Sequence, residues 1–103
     1  MAAAQVRSDR DQLKQIQQLF TSEAQRVEQF SKDLMGKKDT LSGGDWIGQG
    51  ANQFYQEFDG QIVPHLNKLR DGLNQAAQTT GQIITLMQDL EDRTSKMFIL
   101  RLA

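Results

Sequence analysis

The sequence has no cysteine, one proline (Pro64), one histidine (His65), one tryptophan and one tyrosine in 103 residues. Without cysteine there is no disulfide framework and no thiolate chemistry, although the compartment stays open because an exported chain need not contain cysteine. A lone histidine excludes a multi-histidine metal site. Charge of one sign is also missing: 12 Lys plus Arg stand against 13 Asp plus Glu, a net charge of -1. No global basic field therefore recruits nucleic acid or an acidic membrane. No apolar run is long enough for a transmembrane span. The first residues, which include Arg7, Asp9, Arg10, Asp11 and Lys14, lack the apolar core of an ordinary cleavable signal peptide. The length and a hydrophobic content of 38% fit one ordered domain with a limited core.

What is present is helical periodicity. Val6, Leu13, Phe20, Val27, Leu34 and Leu41 recur every seven residues, with Ile16 and Phe30 three positions further on and Leu19 and Ala24 widening the stripe. Asp9, Glu23 and Lys37 interrupt the second set, so the pattern suits a broad helix-on-helix surface better than a long, strict coiled coil. Gln5, Gln12, Gln15, Gln17, Gln18, Gln25 and Gln29 are read as the soluble outer face.

The concentrated breaker is Leu41-Ser42-Gly43-Gly44-Asp45, followed by Trp46-Ile47-Gly48-Gln49-Gly50. Paired glycines stop the first helix, and Asp45 is placed to cap the second. Beyond the turn, Ile47, Ala51, Phe54, Phe58, Ile62, Leu66, Leu69, Leu73, Ala76, Thr80, Ile83, Met87, Leu90, Thr94 and Met97 keep spacings of three or four. The expected layout is a single domain: helix one over about 5–41, a turn over about 42–46 and helix two over about 47–98. Pro64 removes an amide donor and presses on the preceding turn, which predicts a bend there, with a full break into three helices as the alternative. The fold class is therefore all-α, an antiparallel two-helix hairpin with a W-x-G turn.

Two such helices have no third element to cover a second apolar flank, so Phe20, Phe30, Phe54, Phe58 and Leu69 cannot all hide in one seam. A four-helix bundle made by dimerisation solves this, either as a homodimer or with a related hairpin. Leu13, Ile16, Phe20, Val27, Phe30, Leu34, Phe54, Phe58, Ile62, Leu66, Leu69 and Leu73 are the residues expected to pack the hairpin and the dimer.

No catalytic, cofactor-binding or metal-binding group emerges. His65 beside Pro64 reads as a helix-flank residue, and Asp89, Glu91 and Asp92 splay around a helix instead of forming a carboxylate dyad. No serine has a histidine beside it in sequence, and the glycines form neither a P-loop nor a dinucleotide fingerprint. Lys37-Lys38 beside Asp39 reads as a solvated helix end.

The informative constellation is Trp46-x-Gly48 where the helices reverse: a large anchor beside a residue without a side chain to obstruct a neighbouring helix. With a length near one hundred, no signal peptide, and Ala51, Phe54 and Phe58 following the turn, the chain resembles the WXG family of small helical-hairpin proteins exported by bacterial type VII secretion systems. The resemblance implies four-helix homo- or heterodimers, Trp46 and Gly48 near the dimer ends, and engagement by the type VII secretion ATPase. It also implies synthesis in the bacterial cytoplasm and secretion without a cleavable signal peptide. Exported members commonly carry a C-terminal Tyr-x-x-x-Asp/Glu signal. Here the only such pattern is Tyr55 to Asp59, just after the turn, and Phe98 is the aromatic residue near the C-terminal end. Tyr55, Asp59 and Phe98 are thus candidate secretion or partner contacts. The function expected is that of a non-enzymatic type VII secretion substrate or effector-partner. The alternatives are an intracellular helical binding module or chaperone-like partner, and a structural oligomer.

Overall fold

The computed structural model describes residues 2–102. The chain is all-α, two helical arms joined by a turn: α1 (Ala2–Ser42), α2 (Gln49–Glu57) and α3 (Val63–Leu102), with a π-helical turn at Phe58–Ile62 between α2 and α3. Two compact units are present, one formed by residues 2–21 and 75–102 and the other by residues 22–74.

In the first unit α1 and α3 run antiparallel. Arg7 and Arg10 reach Glu91, whereas Gln17, further along α1, lies against Gly81, earlier on α3. Ala77, Thr80 and Ile84 are buried on α3, and Val6, Leu13 and Phe20 are half-buried on α1. A Cβ on Gly81 would stand 2.7 Å from Nε2 of Gln17, so the missing side chain is what lets the amide lie on the helix. Gln17 is accordingly half-buried, not part of the outer glutamine face. Ile83, placed in the packing stripe from its spacing, points outward, and its neighbour Ile84 points in.

In the second unit Ala24 and Ser31 are buried on α1, Ala51 on α2 and Phe58 in the π turn; Ala24 is the least exposed, at 2%. Val27, Leu34, Leu66 and Leu73 are half-buried, whereas Phe30, Ile62 and Leu69 are exposed. The most deeply placed α1 residues are therefore small. Alanine and serine allow helices to approach with little side-chain volume between them, and the larger Val27 and Leu34 flank that contact. Burial of Phe58 alone contributes about 2–3 kcal/mol.

The break between the arms differs from its sequence reading in three respects. The amide of Gly43 bonds to the carbonyl of Asp39 at 2.9 Å and that of Gly44 to Leu41 at 3.2 Å, yet neither glycine takes a positive φ. Asp45 is not the cap of the following helix: α2 starts after Gly48, which lacks a side-chain cap. Gly48 instead has φ 119°, a conformation that an L side chain rarely adopts. The space around Gly48 is open within the chain, so backbone geometry is what requires glycine there.

Helix continues from Gln49 through Pro64 to Leu102. The irregularity lies one turn before the proline, where the amide of Val63 bonds to the carbonyl of Phe58, five residues back. In a regular α-helix Pro64 would leave the carbonyl of Gly60 without its donor and crowd it with the ring. The wider π turn relieves that crowding without ending the helix.

Candidate functional site

The W-x-G turn lies within the unit of residues 22–74 and gathers most of the aromatic residues there. Trp46 sits 5.1 Å from Phe54 and 5.4 Å from Tyr55 between ring centroids, the latter edge-to-face at 82°. Phe54 continues the cluster to Tyr55 at 5.9 Å and to the buried Phe58 at 6.1 Å. Tilted and edge-to-face arrangements match the ring quadrupoles, and each such pair adds about 0.5–1.5 kcal/mol to simple area burial. The local sequence explains the gathering. Gly48 turns the chain sharply enough to lay Trp46 back over the first turns of α2, where Phe54 and Tyr55 meet it.

Tyr55 is fixed twice, by its ring and by its hydroxyl, which donates to the backbone carbonyl of Trp46 at 2.8 Å. Asp59, four residues on in the π turn, accepts from Nζ of Lys38 at 3.2 Å. Lys38 also meets Asp39 at 3.1 Å. The hydrogen bond to Asp39 and then that to Asp59 raise the Lys38 pKa above its ordinary value. Lys38 is therefore not a solvated helix end: its side chain is largely covered and ties α1 to the π turn. Both members of the Tyr55–Asp59 pattern are held by bonds inside the unit. Trp46 remains 42% exposed and Ile47 more so, leaving an apolar edge on the cluster.

The remaining candidate contact, Phe98, belongs to the other unit. It is exposed on α3 within Met97-Phe98-Ile99-Leu100, and Leu100 is 74% exposed. In that same unit the carboxylate of Glu91 accepts from Arg7 at 3.3 Å and from Arg10. These bonds, that from Arg7 foremost, hold the Glu91 pKa below its ordinary value. His65 is exposed, and its Nδ1 donates to the carbonyl of Gln61. Among the described residues no cluster of His, Asp and Glu is arranged to hold a metal ion, and no helix is long and apolar enough to cross a membrane.

The packing residues divide. Leu13 and Phe20 in one unit, and Val27, Leu34, Phe58, Leu66 and Leu73 in the other, face inward to different degrees. Ile16 in the first, and Phe30, Phe54, Ile62 and Leu69 in the second, are exposed. An inward series on α1 comprises Arg10 and Gln17 in one unit and Ala24, Ser31 and Lys38 in the other; sequence reasoning placed Ala24 in the stripe and missed the other four. The available signal was its regular seven-residue spacing, masked because only Ala24 is apolar.

These features define a small helical-hairpin protein whose reversal is built on Trp46-x-Gly48. The family described as WXG100, "Proteins of 100 residues with WXG", matches residues 5–92. The chain belongs to this family, whose members are small helical proteins associated with type VII secretion. No curated protein and no solved structure matches the chain significantly.

Proposed function

We infer that the chain is a non-enzymatic type VII secretion substrate or effector-partner, made in the bacterial cytoplasm, exported without a cleavable signal peptide and active through helical dimerisation. The observation that carries this reading is the outward apolar series on helices whose other faces are already packed. Ile16, Leu19, Leu86 and Leu90 in one unit and Phe30 and Leu69 in the other remain exposed. Apolar faces of this extent call for a second hairpin, either a copy or a relative, which would complete a four-helix bundle. The exposed edge of Trp46 and Ile47 supplies the recognition feature for the secretion ATPase, with Phe98 as a second contact. Inactivating that ATPase should remove the protein from the culture medium while it accumulates in cells; unchanged release would overturn the export reading.

The internal bonds of Tyr55 and Asp59 favour a second reading. If that pair serves only to staple the turn, the chain need not carry its own export signal, and it would act as an intracellular binding module or chaperone-like partner. Retention in cells with an intact secretion system, together with co-purification of another hairpin, would support this alternative.

A further inference from the structure

Residues 93–102 of α3 run counter to the chain as a whole in charge. The net charge of the protein is -1, but this stretch holds three cations, Arg93, Lys96 and Arg101, and no Asp or Glu. All three are exposed, and none takes part in an ion pair among the described residues. Interleaved with them are Met97, Phe98, Ile99, Leu100 and Leu102, whose exposure runs from 57% at Met97 to 74% at Leu100. At about 100° per residue, Phe98, Ile99 and Leu102 share one side of the helix and the three cations the other, with Met97 and Leu100 between the cations.

We propose that this end of α3 docks on the surface of an anionic lipid bilayer. A groove on a protein covers one side of a helix, and here it would leave Met97 and Leu100 in water or bury the cations beside them. Lipid instead closes around side chains in every direction. Phe98, Ile99 and Leu102 enter the boundary between headgroups and acyl chains, while the stems of Lys96 and Arg101 carry their charges back to the lipid phosphates. Residues 97–102 span about 9 Å at the helical rise, which matches that layer and falls far short of a crossing. Each cation held near an anionic surface raises affinity about fivefold. Asp92 offsets its neighbour Arg93, so Lys96 and Arg101 supply the net attraction. Asp89 lies about 15 Å before Ile99 along the axis, beyond the screening length of about 8 Å.

The test is flotation of the full chain with protein-free vesicles. The chain should bind vesicles of phosphatidylglycerol mixed with phosphatidylcholine about tenfold or more tightly than phosphatidylcholine alone, and salt should erase that preference. Lys96→Gln with Arg101→Gln should weaken binding to the anionic vesicles about twentyfold. Phe98→Ser with Ile99→Ser should weaken it about tenfold or more, with helicity unchanged because both residues are exposed. The absence of native cysteine allows the contact to be located. An environment-sensitive dye on Leu100→Cys should shift to the blue on anionic vesicles, whereas the same dye on Leu19→Cys, an exposed apolar position in the same unit, should not. No flotation, equal binding to both lipid compositions, or a blue shift at position 19 instead of 100 would overturn the proposal. Such a failure leaves the export reading to its own test, inactivation of the secretion ATPase.

Discussion

The aromatic turn and the end of α3 handle apolar side chains in opposite ways. Around the turn, Trp46, Phe54, Tyr55 and Phe58 cover one another, and the one phenol among them donates to a backbone carbonyl. At the end of α3, Met97, Phe98, Ile99 and Leu100 are consecutive, so they point around most of the helix circumference and all stay exposed. A helix apolar on every side is ordinarily buried by something outside itself. The first region packs largely against itself and leaves only the edge of Trp46 and Ile47 exposed, whereas the second has no apolar partner among the described residues of its unit. The turn therefore carries local stability, whereas the α3 end leaves its apolar side chains uncovered within the chain.

The largest effect that would break this contrast is expected from Phe58→Ala. Phe58 is only 5% exposed, and truncation should cost about 3 kcal/mol, measured by urea denaturation. Gly48→Ala follows, at about 1–2 kcal/mol, because φ 119° is strained for any residue with a Cβ; an unchanged transition would mean that the turn adopts another conformation. Tyr55→Phe should cost about 1 kcal/mol by deleting the donor to Trp46, and a change in Trp46 fluorescence would localise the loss to the turn. Phe98→Ser should alter the unfolding free energy of the isolated chain by no more than about 0.5 kcal/mol while weakening association, the reverse of the turn variants.

The smallest effect concerns pH. Glu91 titrates below its ordinary value of 4.5 because Arg7 and Arg10 bond to its charged form. Its contribution is therefore present above the unfolded-state pKa and is lost as pH falls through the folded-state value. Glu91→Gln should narrow the difference in stability between pH 7 and pH 3, and an unchanged difference would show that these bonds do not persist in solution.

Much of this was legible in the sequence. Apolar spacings of three, four and seven, interrupted by Leu41-Ser42-Gly43-Gly44, specify two helical arms, and Trp46-x-Gly48 marks the turn. The inward face of α1 was legible only in part: the line Val6, Leu13, Phe20, Val27 and Leu34 is half-buried, but hydrophobicity is a poor guide to the polar positions beside Ala24, where Ser31 is buried and Lys38 meets Asp59. Spacings of three and four also mix neighbouring lines on a helix, which is why Ile83 was chosen over Ile84. The role of Gly48 depends on a dihedral angle that composition does not encode. Asp45 has the chemistry of a cap, but the helix begins beyond its reach.

The π turn at Phe58–Ile62 sets a phase. It takes one more residue to close a turn than an α-helix does, and one residue of α-helix corresponds to about 100° of rotation. Deleting Gly60 would rotate the first turns of α3 by roughly that angle, carrying Leu66 and Leu73 off the inward side and presenting a different line of side chains to solvent. Substitutions along this stretch alter the strength of contacts, whereas a change of one residue in its length alters which contacts exist. In this segment, chain length constrains the surface as firmly as side-chain identity does.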